Sequence, residues 1–185
     1  MVNFNRVDQL IQLYINKNID IYNGADLIKK DILTLKRTSF NIDHFKIKLL
    51  IGYEQFEEQL TNLIKRNPLP EDIVAYNFGL YQTSGEFHLY ITGSRDWSYE
   101  DEDWATNNDY FPEENLSGNS LYRKIYRDWR TSNDLGLFLS IVSTVMLVNT
   151  YITKNPDMLP NKAVFATGFD DGDLYTFRNP LTNVY

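Results

Sequence analysis

Carboxylates are concentrated in one short segment of this sequence, residues 93–115, which reads GSRDWSYEDEDWATNNDYFPEEN. We call it the acidic segment. It has no basic residue after Arg95. Such a density of carboxylates can serve two purposes: oxygen atoms can coordinate a hard cation, or the negative charge can attract a cationic partner. Its eight acidic residues are Asp96, Glu100, Asp101, Glu102, Asp103, Asp109, Glu113 and Glu114.

The spacing of these carboxylates does not favour a metal site. Residues 100–103 are all acidic, but the calcium loop of helix-loop-helix proteins needs a glycine at its centre and a closing glutamate, and neither falls in register here. The DDGD run at 170–173 is typical of a hairpin turn. Because the chain has no cysteine, Cys-based zinc sites are excluded as well. We predict no metal and no cofactor.

Aromatic residues are interleaved with the carboxylates, which is rare in a purely solvated charge run. Trp and Tyr are enriched at the anchoring positions of protein interfaces. These rings can hold the segment against its own sheet, or they can be offered to a partner, and both can be true together. The plain alternative is a solvated loop without function. We predict a partner-binding surface made of Asp96, Trp97, Tyr99, Glu100, Asp101, Glu102, Asp103, Trp104 and Asp109.

Residues suited to catalysis are few. The chain has two histidines, His44 beside a predicted helix start and His88 in a predicted strand. Glu86 and His88 would project from the same strand face and could form an acid–base pair, although such a pair is more often an ordinary surface hydrogen bond. We therefore predict a protein that is not an enzyme, with no catalytic residue. The alternative is a small hydrolase that uses this pair and a carboxylate of the acidic segment, with or without a divalent ion.

The distribution of charge indicates the class of partner. The formal net charge is −7, but residues 96–114 carry −8 and the rest of the chain +1. A local acidic surface repels phosphates, so nucleic-acid binding is disfavoured. The same surface attracts basic proteins, at a rate that salt reduces. We predict a basic protein partner and leave the oligomeric state open.

The elements that must position these residues can be read from hydrophobic periodicity. Residues 1–66 predict three amphipathic helices, of which the second begins after YNG at 22–24 and ends at the basic pair 36–37. Residues 73–82 and 87–92 predict a hairpin, and the Asp-Gly pair at 171–172 predicts the turn of a second one. Between the hairpins, a short helix is expected over residues 119–130.

The most apolar run, residues 135–152, is long enough for a membrane span. Its polar residues lie mostly along one side and are more frequent than in a lone span, so we predict a buried core helix and no membrane association. The absence of cysteine and of a signal-peptide pattern favours a cytoplasmic protein. The polar residues are Ser140, Ser143, Thr144, Asn149 and Thr150.

Together these elements predict a single α+β domain over residues 1–185. Residues 1–66 would form a helical part, and residues 71–185 would contain the hairpins, the acidic segment and two more helices. We expect an antiparallel sheet made from the two hairpins, packed against the long apolar helix, with an N-terminal helical layer around it.

Residues 75–107 resemble a pattern found in small bacterial proteins, some of which are encoded near polymorphic toxins. In that pattern an NFGL strand, an LYxxGS strand and a DEDWA-like acidic stretch follow one another, and all three are present here. The resemblance implies an immunity-type protein, which acts by binding, and the SMI1/KNR4-like superfamily is one group to which it could belong. Our leading hypothesis is a cytosolic protein that neutralises a cationic toxin domain by occupying its active site or substrate groove. A third hypothesis is a structural or oligomer-forming protein with no dedicated ligand.

Overall fold

Three helices precede the first strand, as the periodicity predicts, and a hairpin, two helices and a second hairpin follow. The computed structural model describes residues 4–35, 40–114, 116–130 and 133–178, so the basic pair 36–37 lies outside the described residues. The fold is α+β. Its elements are α1 Phe4–Asn16, α2 Ile21–Leu35, α3 Ile42–Arg66, β1 Ala75–Gln82, β2 Phe87–Ser94, a short 3-10 helix Glu102–Thr106, α4 Ser120–Trp129, α5 Asn133–Lys154, β3 Val164–Phe169 and β4 Leu174–Arg178.

The sheet is mixed, which corrects the prediction of a purely antiparallel sheet from two hairpins. Both hairpins form, β1 with β2 and β3 with β4, and each is antiparallel. They join through a parallel pairing of β1 with β3, which gives the strand order β2-β1-β3-β4. Turn residues specify the pairing within a hairpin only. The direction of the join depends on the long connection through α4 and α5, which returns β3 alongside β1.

The two faces of the sheet have different roles. Side chains alternate along β1, so Tyr76, Phe78 and Leu80 enter the main apolar core together with the helices. Ala75, Asn77 and Gly79 project to the opposite side, which we call the outer face. On this face Ala75, Val164 and Ala166 form a second, small apolar cluster with Trp104. The acidic segment is therefore packed on the side of the sheet that the helices leave open.

Helix α5 is a buried core helix, as predicted. By length and composition it is the one described helix apolar enough to cross a membrane, and 89% of its apolar window is buried inside the protein. Its polar side chains do not form a side facing water; they are buried, and the hydroxyls of Ser140, Thr144 and Thr150 bond back to the helix itself. Ser140 Oγ donates to Gly136 O at 2.8 Å, and Thr144 Oγ1 to Ser140 O at 2.9 Å. These hydroxyls are satisfied without solvent.

Helix α2 begins earlier than the sequence predicts. The YNG tripeptide at 22–24 lies inside the helix, which starts at Ile21. Asp20 Oδ1 accepts hydrogen bonds from the backbone N–H groups of Tyr22 and Asn23, at 3.0 and 2.8 Å, and so caps the first turn. Gly24 allows a close approach to α5, because a Cβ at this position would stand 2.0 Å from Met146 Sδ. The glycine serves helix packing and not a turn.

Candidate functional site

The acidic segment is fixed to the edge of the sheet at its far end. Gly93 and Tyr110 exchange two backbone hydrogen bonds of 2.8 and 3.0 Å, in antiparallel fashion. The N–H of Leu116 donates to Leu89 O at 2.9 Å, so the chain continues along β2 beyond the segment. The phenol of Tyr110 is buried and donates to Asn67 O at 2.9 Å. This part of the chain covers the otherwise open edge of β2.

Polar contacts close the near end of the segment. Asp109 accepts from the backbone N–H of Arg95 at 2.9 Å and from its Nη1 at 2.8 Å, and Arg95 Nε also donates to Asp72. The hydrogen bond from Arg95 lowers the pKa of the Asp72 carboxyl. Asn107 Nδ2 donates to Ser94 Oγ at 2.9 Å. Residues 96–108 therefore form a loop whose two ends are tied together.

Two tryptophans hold this loop against the outer face of the sheet. Trp104 is 6% exposed and packs on Ala75, Val164 and Ala166. It is carried on the 3-10 helix, whose first turn is capped by Asp101, which accepts from the N–H of Asp103 at 3.0 Å. Trp97 is half-buried against the same cluster. Tyr99 is 83% exposed and contributes nothing to this packing.

The carboxylates divide into paired and unpaired groups. Asp109 pairs with Arg95, and Glu114 pairs with Arg66 at 2.7 Å. Six others are exposed and make no ion pair with any residue that the structure describes: Asp96, Glu100, Asp101, Glu102, Asp103 and Glu113. The structure thus brings the predicted partner-binding residues together, with Trp104 inside, Asp109 in an internal pair and the remaining carboxylates at the surface.

Two concave regions flank the loop. A cleft of about 520 Å³ lies between the Asp96–Trp97 side of the loop and the 3-10 helix, and the buried Trp97 Nε1 has no hydrogen-bond partner within the described part of the chain. A second groove of about 340 Å³ lies on the outer face between the loop and the β3–β4 turn. We call the second one the sheet-face groove.

The sheet-face groove contains residues that the sequence did not single out. Asn77 of β1 lies at its floor, and Tyr90 of β2 and Asp170 of the β3–β4 turn lie at its side. The Tyr90 hydroxyl donates to Asp170 Oδ1 at 2.6 Å; burial, and then this bond, raise the pKa of Tyr90. The sequence AYNFGLYQ at residues 75–82 contains one signal for this site, because the amide of Asn77 interrupts an otherwise apolar strand.

The acids do not converge on a metal site. Among the described residues, no group of three or more His, Cys, Asp or Glu side chains could hold a metal ion. The DDGD run forms the turn between β3 and β4, as predicted, with Gly172 N–H donating to Phe169 O at 3.0 Å.

His88 and Glu86 lie next to each other, but each has another partner. His88 Nε2 is 2.8 Å from Thr83 Oγ1 and 3.8 Å from Glu86 Oε1, and the ring stacks on Tyr81 with centroids 4.9 Å apart. Glu86 Oε2 accepts from Arg123 Nε at 2.7 Å. Within the described ranges, no carboxylate of the acidic segment comes within 4.0 Å of His88. The groups of the alternative hydrolase are therefore not assembled into one site.

Comparisons with protein-family models, with curated proteins and with solved structures find no match to this chain.

Proposed function

We propose that this protein is a non-catalytic binding protein of the bacterial cytoplasm, an immunity protein that neutralises a cationic toxin domain through the acidic segment. One observation carries the proposal: the loop has exposed carboxylates that form no ion pair within the described residues. Two tryptophans, and the hydrogen bonds of Asp109 and Asn107 at its ends, hold this loop in place. The local resemblance of residues 75–107 to immunity-type proteins agrees with it.

The order of the loop supports binding as its role. Ordering a flexible loop on association costs free energy that an already ordered loop avoids. Here contacts within the chain hold the loop at its two ends and at Trp104, while Glu100, Asp101 and Glu102 are exposed. A surface that is both preorganised and uncompensated in charge is well suited to a partner of opposite charge.

The charge of the surface supports the class of partner. Nuclease toxins bind phosphates through Lys and Arg side chains, so their substrate grooves are basic. A row of fixed carboxylates can compete for the same cations, and neutralisation then follows from occlusion of the groove. Exposed Tyr99 stands among these carboxylates and offers a ring for a central contact.

The experiment compares the wild type with two charge-reversed variants of equal net charge. The test variant is Glu100→Lys, Asp101→Lys, Glu102→Lys and Asp103→Lys. The control reverses four exposed acids elsewhere, which make no ion pair within the described residues: Glu54, Glu58, Glu71 and Asp157. Each protein is used to capture partners from the native lysate at low and high salt.

We expect the wild type and the control to capture a basic protein, the test variant to lose it, and salt to weaken the capture. The captured protein should arrest growth when expressed alone and be tolerated when co-expressed with the wild type, but not with the test variant. If the folded test variant protects as well as the wild type, the proposal is wrong. If both variants differ from the wild type only in solubility, the structural hypothesis takes its place.

A further inference from the structure

The sheet-face groove contains a buried polar group without a partner. Asn77 is 5% exposed and lies on the outer face between Ala166 of β3 and Thr92 of β2, whose hydroxyl donates to Ala105 O. Its Oδ1 is buried and accepts no hydrogen bond from the residues that the structure describes. Buried polar groups are almost always paired, so an unpaired amide at the floor of a groove points to a donor that arrives from outside.

The walls of the groove favour a cation as that donor. Glu102 and Asp103 stand on the loop side, Asp170 stands on the turn side, and no Lys or Arg of the described residues lines the groove. Asp170 already accepts from the Tyr90 hydroxyl, which leaves its other oxygen available. An anionic ligand would be repelled by these three carboxylates, and a neutral ligand would gain no attraction from their charge.

An aromatic ring completes the lining. The end of the Tyr90 ring lies close over Gly79 of β1, where a Cβ would stand 2.1 Å from Tyr90 Cζ. The ring is therefore held by strand packing at one side and by its bond to Asp170 at the other. Guanidinium groups stack on such rings more readily than ammonium groups do.

We infer that the sheet-face groove is a receptor for one arginine side chain of the partner. The inference rests on the proposed function and adds the chemical class of its central contact. A guanidinium presents five N–H donors in a planar fork, so it can reach Asn77 at the floor and carboxylates at the rim together. The volume of about 340 Å³ is at the small end of ligand sites and suits a single side chain.

The test is an NMR titration of the ¹⁵N-labelled protein with N-acetyl-arginine amide. N-acetyl-citrulline amide, which has the same shape without the charge, and N-acetyl-lysine amide are titrated in parallel. We expect saturable shifts at Asn77, Tyr90 and Gly168 with a dissociation constant in the millimolar range for arginine, a weaker response for lysine and none for citrulline. Asn77→Val should weaken arginine binding by about tenfold or more.

Two controls keep the result interpretable. Asn62→Val makes the same substitution on the exposed surface of α3 and should bind arginine amide as the wild type does. The melting temperature of Asn77→Val should not fall, because the substitution removes an unpaired buried acceptor. The inference is overturned if citrulline binds like arginine, if Asn77→Val binds as tightly as the wild type, or if no saturable shift occurs.

The outcomes separate this inference from the proposed function. If the carboxylate reversal abolishes partner capture but arginine amide does not bind, only the receptor role of the groove is lost. If arginine amide binds in the groove but the reversed variant still protects against the toxin, the groove remains an arginine site and the proposed function fails.

Discussion

The aromatic residues of the acidic segment divide into two groups by their exposure. Trp104 is 6% exposed and fills the small apolar cluster on the outer face, whereas Tyr99 is 83% exposed and touches no part of that cluster. A buried ring contributes to the free energy of unfolding, and an exposed one is free to contact a partner. The same type of side chain therefore has two roles within a few residues of sequence.

Substitution of these two residues should separate stability from binding. We expect Trp104→Ala to lower the free energy of unfolding by about 3 kcal/mol, because it removes a large buried ring. Tyr99→Ala should change it by no more than about 0.5 kcal/mol and still weaken partner capture. Urea unfolding measures the first effect and the lysate capture the second. Equal losses of stability in both variants would show that the assigned orientations of the rings are wrong.

The same distinction shows how far the sequence could predict the site. The mixture of rings and carboxylates indicates an anchored acidic surface, and the structure has such a surface. Which ring lies inside depends on the outer face of the sheet, and this face is built from Ala75, Val164 and Ala166 of two distant strands. Asn77 could not be recognised as part of the groove before β1 and β3 were known to be neighbours.

At the scale of elements, the contact between α2 and α5 depends on a single glycine. Gly24 faces Met146, which is fully buried, and a Cβ at position 24 would also stand 2.9 Å from Ile19 Cγ2. Periodicity predicted both helices, but it treated Gly24 as a boundary because glycine is a common helix terminator. Close packing between helices that are far apart in sequence leaves no local signal.

Gly24→Ala should therefore destabilise the protein although alanine is the better helix former. Helix propensity favours alanine by about 1 kcal/mol, whereas overpacking a core costs about 1 to 3 kcal/mol. We expect a net loss in the free energy of unfolding, measured by thermal or urea unfolding. In a Met146→Ala background the closest clash is removed and only the contact with Ile19 remains, so the same substitution should cost less. An additive double-mutant cycle would contradict the contact.

For the whole molecule, the main apolar core and the proposed binding surface lie on opposite faces of one sheet. The inner face and the helices bury the large apolar residues, and Ser140, Thr144 and Thr150 of α5 donate their hydroxyls to their own helix. The outer face carries Asn77, whose Oδ1 accepts no hydrogen bond from the described part of the chain, and the exposed carboxylates of the loop. Groups that reduce stability are tolerated because the core on the other face is extensive, and such groups are common where a surface must bind.

The buried tyrosines make the stability of the whole molecule sensitive to alkaline pH. Burial raises the pKa of Tyr110 to about 12, and burial with the nearby Asp8 and Asp173 raises the pKa of Tyr175 to about 12. Burial also raises the pKa of Tyr76 and Tyr122. In the unfolded chain tyrosine ionises near pH 10. Between these values the folded state holds protons that the unfolded state has released.

Because the unfolded state then binds fewer protons, the free energy of unfolding must fall as pH rises from about 10 to 12, while this contribution is fully present below pH 10. Urea unfolding at several pH values, with phenolate absorbance recorded in parallel, measures the loss. Tyr110→Phe should make the fall less steep, since it removes one group whose pKa is raised. If Tyr110→Phe follows the wild-type profile, the phenol of Tyr110 is not buried against Asn67, and the far end of the acidic segment is not fixed as described.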